Sequence, residues 1–172
     1  MSRTLIPATL LLLSVAFAAP STSAGSTSGK PTAPRNRTTA PKPADIDPSV
    51  SMEGLLAKDD PAAFPTAKGA TLTGYAVQVE KEEDGDMHIT LAEDKGETST
   101  SKWVVTEVTP AWQKRSASLA PARLRSLVGK RILVTGWLYF DTSREDNDPR
   151  GTRWELHPVT SIRPAGSMAA KH

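Results

Sequence analysis

The sequence predicts a mainly β fold, a five-stranded barrel with a helical connection between its third and fourth strands, confined to the later part of the chain. Three observations predict it. Five short stretches rich in β-branched and aromatic residues lie between residues 70 and 164, separated by turn and loop residues. The third and fourth stretches are joined by two helix-start signals and a glycine stop rather than by a simple turn. Apolar residues make up only 38% of the 172, so the chain has material for one core, and they are concentrated in this region.

The first strand begins near Thr71 with Leu72, Tyr75, Val77 and Val79, and Gly74 inside it marks a bulge or a tight bend. Asp84-Gly85 is a turn signal. Met87-His88-Ile89-Thr90-Leu91 then alternates apolar with polar, as a half-buried strand does. After a polar loop over 92–101, Trp103 to Val108 forms the third strand. Thr109-Pro110 reads as a helix start, with Thr as cap and Pro at the first helical position. A second start at Pro121 leads through Leu124, Leu127 and Val128 to a stop at Gly129. Arg131 to Asp141 is the fourth strand, with Ile132, Val134, Leu138 and Phe140 at two-residue spacing, and Arg153 to Ile162 is the fifth. Five short strands leave exposed edges unless the sheet closes, and closure with a helix plugging one end is the OB-like solution. Gly136 fits the curvature that closure demands. An open sheet with a helix on one face is the alternative.

The rest of the chain has a different character. Residues 1–24 read as a signal peptide: Arg3, an apolar run from Leu5 to Ala19, then Ala16-Phe17-Ala18 or Thr22-Ser23-Ala24 as the cleavage signal. That run falls short of the ~20 apolar residues a spanning helix needs, and Pro7 interrupts it. The expectation is an exported protein, periplasmic or extracellular, with no transmembrane segment in its mature form. Residues 25–50, rich in Pro, Ser and Thr, read as a disordered tether. Within them Asn36-Arg37-Thr38 matches the glycosylation acceptor. Residues 51–69 form an accessory segment with a helical turn around Met52, Leu55 and Leu56, and 165–172 a flexible tail. The barrel domain is expected over 70–164. The absence of Cys excludes a disulfide framework, a thiol nucleophile and a Cys-ligated zinc.

A pI of about 9.0 suggests a polyanion partner until the charges are located. Residues 1–47 hold five Lys/Arg against two acids, whereas the remainder holds 16 basic and 17 acidic residues. The folding part is therefore slightly acidic, which disfavours nucleic acid as a partner. Inside it, 80–97 carries eight acids and two lysines, and 114–131 carries six basic residues and no acid; such runs read first as solvated faces.

Side chains two apart on a strand share a face. With Ile89 and Leu91 inward, His88 points out and Asp86 lies on its side. Trp154 and Leu156 inward put Glu155 and His157 outward, and Val104, Thr106 and Val108 inward leave Glu107 outward. In an OB-like barrel the third strand lies between the second and fifth, so Asp86, His88, Glu107, Glu155 and His157 form a candidate surface cluster. Of these, His88, His157 and Glu107 could hold a divalent metal such as zinc or manganese, whose open position would activate water. The alternative is a structural network of imidazole–carboxylate hydrogen bonds that fixes strand register. Trp103 and Trp137 could serve as stacking platforms for bases or sugars, or simply as core and rim packing. Asp84-Gly85-Asp86 and Asp146-Asn147-Asp148 lack the continuing ligand spacing of a calcium loop. No nucleophile elbow or phosphate-binding glycine loop is present, so no residue is assigned a catalytic role.

Asp84-Gly85-Asp86-Met87-His88-Ile89-Thr90-Leu91, Glu107-Val108-Thr109-Pro110, Val134-Thr135-Gly136-Trp137-Leu138 and Trp154-Glu155-Leu156-His157-Pro158-Val159-Thr160 resemble segments of a group of small exported bacterial proteins, described only as OB-fold-like and uncharacterised. The likeness spans roughly 70–163 and implies a fold and a compartment but no activity. Members often carry a further His just after the Asp that ends the fourth strand, where this chain has Thr142-Ser143-Arg144. The reading that follows is a non-catalytic binding or interaction domain, meeting a ligand or protein partner at the outer barrel face. A metal-dependent hydrolase of phosphodiesters or another polymer, and a single-stranded nucleic-acid binder, are the alternatives.

Overall fold

A computed structural model describes residues 34–144 and 149–166. The expected signal peptide, the first part of the tether, Asp146-Asn147-Asp148 and most of the tail lie outside the described residues. No helix among those described is long and apolar enough to cross a membrane.

Five strands make up the sheet: β1 (Gly69–Lys81), β2 (Met87–Ala92), β3 (Val104–Val108), β4 (Arg131–Phe140) and β5 (Trp154–Pro164). They close into a barrel in the order β1-β2-β3-β5-β4, antiparallel throughout except for the parallel β3–β5 pair. The alternation in each sequence decides which face turns inward. Leu72, Ile89, Leu91, Val104, Val108, Ile132, Val134, Leu138, Trp154 and Leu156 fill the interior, each side chain of the Val, Leu and Ile type contributing about 1.5–3 kcal/mol. Closure leaves no free edge along these strands, so the open-sheet alternative falls away.

Between β3 and β4 run two short helices, α2 (Pro110–Gln113) and α3 (Pro121–Arg125), with a 3-10 turn over Ala117–Leu119 between them. Trp112, Leu119, Leu124 and Leu127 carry this connection into the core. Both helices begin on Pro, and Gly129 ends the stretch with φ +77, as expected. Thr109 occupies the N-cap position of α2, but its side chain makes no capping hydrogen bond. The accessory segment forms the first helix, α1 (Met52–Ala57), capped by Ser51, whose side chain accepts from Gly54 N; Met52 and Leu55 join the core.

Two glycines behave differently from one another. The β1–β2 register shifts between Ala76 and Gln78, not at Gly74. Gly74 instead marks a close approach, because a Cβ there would lie 2.8 Å from both Ala92 O and Met52 Sδ. Gly136 does sit where the barrel bends: the β4–β5 register shifts on either side of it, and a Cβ would lie 2.7 Å from Pro158 O.

The tether expected over 25–50 needs correction from Pro34 onward, because residues 34–50 lie on the barrel. Val50 is buried, and Ile46 bridges Gly69. Low apolar content was the reason to expect disorder, and the attachment is in fact largely polar. Two indoles that line the barrel, Trp112 and Trp137, need acceptors for their N–H groups, and the carbonyls of Arg37 and Thr39 supply them at 3.0 and 2.7 Å.

Candidate functional site

The register brings the predicted polar residues together. His88 faces Glu107 across β2 and β3, and Thr106 pairs with Leu156 across β3 and β5, which sets Glu155 and His157 beside Glu107. Asp86, just before β2, completes the group from the hairpin. All five side chains therefore meet on the outer face of the β2-β3-β5 wall.

That face is covered. His157 is 1% exposed, Glu107 and Glu155 3% and Asp86 5%; only His88 keeps a partly open edge. The expected surface cluster is a buried one, because residues 34–39, hereafter the arm, cross it. Arg35 Nη2 lies 3.1 Å from Glu107 Oε2, 3.8 Å from Asp86 Oδ2 and 3.7 Å from Asp84 Oδ2. Asn36 Oδ1 lies 3.4 Å from His157 Nε2. Arg37 stacks its guanidinium 4.0 Å over the Trp137 ring and donates to Thr66 O at 2.9 Å. Arg115 donates to Thr38 O.

Glu107 is the hub. His88 Nε2 lies 2.7 Å from its Oε1, while its Oε2 meets Arg35 and touches His157 Nδ1. His157 Nδ1 is buried, and among the described residues it has no hydrogen-bond partner. His157 Nε2 lies 3.7 Å from Asp86 Oδ2, Glu155 Oε1 lies 3.7 Å from His157 Nδ1, and the Tyr139 ring tilts against the imidazole at 5.8 Å. His88 Nδ1 is 3.5 Å from Glu82.

These contacts separate the three carboxyls. Burial alone would push Glu107 up, but the close approach of His157 and His88 to its two oxygens holds it well below the usual carboxylate range. Glu155 lacks such compensation: burial, then the neighbouring charges of Glu107 and Asp141, push it well above that range. Asp86 is also pushed up, by burial, against the pull of His157. For His88 burial works downward, yet its hydrogen bond to Glu107 and the carboxylate's charge leave it raised. Asp86, Glu107 and His157 each offer a donor atom within 4.8 Å of the other two. His88 engages the opposite oxygen of Glu107 and stands outside that trio, so Asp86 takes the place His88 held in the ligand set read from the sequence.

The two tryptophans are not part of this centre. Trp137 is buried, its ring already covered by Arg37. Trp103 is partly buried, bonds Glu97 O through Nε1 at 3.2 Å and shares with His88 and Arg150 a depression of about 320 Å³. The residues that sequence reading missed are Arg35, Asn36, Arg37 and Tyr139. The arm's only written signal was the pair of arginines flanking Asn36, upstream of an acidic hairpin.

The barrel has the OB fold. Five strands in this order, closed, with the helical connection between β3 and β4, define it. No family model matches the chain, and no curated protein matches it. Among solved structures it is similar to an asparaginyl-tRNA synthetase from Entamoeba histolytica, 16% identical with a TM-score of 0.41, over 60% of this chain and 22% of that one. A putative aspartyl-tRNA synthetase from Leishmania major Friedlin is 12% identical, with a TM-score of 0.42, over 77% and 23%. An OBody bound to hen egg-white lysozyme is 9% identical, with a TM-score of 0.43, over 64% and 91%. The chain thus spans less than a quarter of either synthetase.

Proposed function

We propose that this is an exported, non-catalytic OB-fold binding domain whose outer β2-β3-β5 face receives an extended cationic segment of a protein partner. The observation that carries the reading is the arm itself. An Arg-Asn-Arg segment lies across this face with one guanidinium among Asp84, Asp86 and Glu107 and the other on Trp137. Acidic and aromatic subsites two residues apart suit a peptide of that chemistry. An acidic centre repels phosphates, which weighs against nucleic acid at this face. Export is supported by the signal-like N-terminus and by the resemblance to small exported proteins.

In this reading the chain's own arm is the resident occupant and competes with any partner. Tethering gives such an arm an effective concentration of order millimolar, so the intact face binds a second segment feebly. The test is fluorescence anisotropy with a labelled peptide of residues 31–42, titrated with wild-type protein and with an Arg35→Ala/Arg37→Ala double variant in the full chain. Saturable binding to the double variant, at least about tenfold tighter than to wild type, is expected. A double variant that is folded by circular dichroism and does not bind the peptide overturns the reading.

A further inference from the structure

We propose that Asp86, Glu107 and His157 form a site for one divalent transition-metal ion, and that the ion displaces Arg35 and lifts the arm from the outer face. The second half rests on the reading of that face as a binding face; the first does not.

The donor atoms are near the spacing an ion requires. Metal–ligand bonds of about 2.0–2.2 Å put neighbouring ligands of a tetrahedral ion roughly 3.4 Å apart. His157 Nε2 and Asp86 Oδ2 are 3.7 Å apart, and the three residues offer donors within 4.8 Å of one another. Small side-chain rotations close the difference. One imidazole with two carboxylates is a donor set for zinc, manganese or ferrous iron rather than for calcium or magnesium.

Three further features point to a cation. His157 Nδ1 is buried without a hydrogen bond among the described residues although Glu107 Oε2 touches it, so the polar contacts of this centre are incomplete as they stand. A cation already occupies the centre, since Arg35 Nη2 sits between Glu107 and Asp86. His88, on the far oxygen of Glu107 at 2.7 Å, holds that carboxylate in orientation, as the outer partner of a metal ligand does.

The covering cation is also removable. Arg35 belongs to an arm that takes no part in any strand ladder among the described residues; bonds from Trp112, Trp137, Arg115 and Arg37 hold it. A cleft of about 370 Å³, lined by Arg35, Asn36, Asp84, Asp86 and Pro110, opens beside Asp86 and gives an ion its path in. A guanidinium cannot shed its charge, so it and a divalent ion repel each other within one acidic pocket. Occupation by the ion therefore expels Arg35, and Asn36 and Arg37 follow it off His157 and Trp137.

The experiment uses full-chain protein purified without a polyhistidine tag, stripped with chelator and titrated calorimetrically with zinc and, separately, manganese. One ion per chain is expected. Glu107→Gln and Asp86→Asn should each weaken zinc binding by more than about tenfold, and Arg35→Gln should tighten it by about three- to tenfold. Zinc should also speed tryptic cleavage after Arg35 and Arg37 and shift the emission of Trp137 to the red. Absence of stoichiometric binding of either ion, or equal affinity in wild type and in folded Asp86→Asn, overturns the site. Tight zinc binding with unchanged cleavage and emission overturns the displacement. Peptide binding by the Arg35→Ala/Arg37→Ala variant in excess chelator is the separate readout of the face: if it persists where zinc fails, only the metal site falls, and if it fails where zinc binds, only the peptide reading falls.

Discussion

His88 and Glu107 stand directly opposite one another on β2 and β3, with His88 Nε2 2.7 Å from Glu107 Oε1. Removing either partner breaks the same contact, but the consequences differ. Glu107→Ala takes from His157, His88 and Arg35 the buried carboxylate that all three contact and should cost about 3–5 kcal/mol, the range for breaking a buried charged pair. His88→Ala leaves Glu107 still held by Arg35 and His157, at a half-buried edge, and should cost about 1–3 kcal/mol. Urea unfolding in chelator checks the order. A larger loss for His88→Ala contradicts the placing of Glu107 at the hub.

Glu155 sets a pH dependence of opposite sense to that of Glu107. Its carboxyl is raised by burial, so the folded chain keeps a proton that the unfolded chain gives up once the pH passes about 4.3. Unfolding then releases a proton, and stability falls as pH rises from the unfolded value toward the folded one. Glu107, held low, gives stability that is present above about 4.3 and lost as pH falls. Glu155→Gln mimics the protonated form at every pH. Its melting temperature should match wild type near pH 4 and exceed it by a margin that widens as the pH rises above that value. A margin that is flat with pH means the carboxyl is ionised in the fold.

The fold was legible because it depends on alternation and punctuation. Ile89-Thr90-Leu91, the Asp84-Gly85 turn, Pro121 and Gly129 each fix a local choice that the barrel keeps. Convergence of the polar cluster was legible for the same reason: a period of two assigns faces, and the strand order assigns neighbours. Burial of that cluster was not, since it depends on a segment about fifty residues away from His88 whose composition promises nothing. Arg35 and Arg37 carry no periodicity; they are placed by complementary charge and by the hydrogen-bond needs of Trp112 and Trp137, which only the folded surface creates. The bulge beside Val77 was likewise invisible, because close approach of Ala92 and Met52, not curvature, selects glycine at 74.

Gly136 is a position at which closure is exposed to a single methyl group. A Cβ would lie 2.7 Å from Pro158 O, 3.1 Å from Val159 Cα and 3.2 Å from Leu156 Cβ, and two of those three atoms are backbone. Backbone on a neighbouring paired strand cannot move aside without breaking the ladder. Gly136→Ala should therefore destabilise by about 1–3 kcal/mol. Gly96→Ala, where nothing lies within 4 Å but φ is +79, separates the effect of crowding from that of backbone conformation. Thermal melts should show the Gly136 variant losing more.

Arg37 tests whether the arm is a removable cover or an integral part of the wall. Its guanidinium stacks on Trp137 and its side chain bonds Thr66 O, while its own carbonyl is held by Trp112 and its neighbour Thr39 by Trp137. A cation–π contact at a partly open site contributes about 0.5–1 kcal/mol. Arg37→Ala should leave the barrel's melting temperature within a few degrees of wild type, since Arg37 touches Trp137 from outside and the barrel's interior cluster stays intact. Amide exchange over 34–41 should quicken severalfold and the emission of Trp137 should move to the red, because the ring loses its cover. A chain that instead melts as a whole, with exchange rising across β4 and β5 together, would show that the arm and the barrel form one cooperative unit and that the outer face does not open without unfolding.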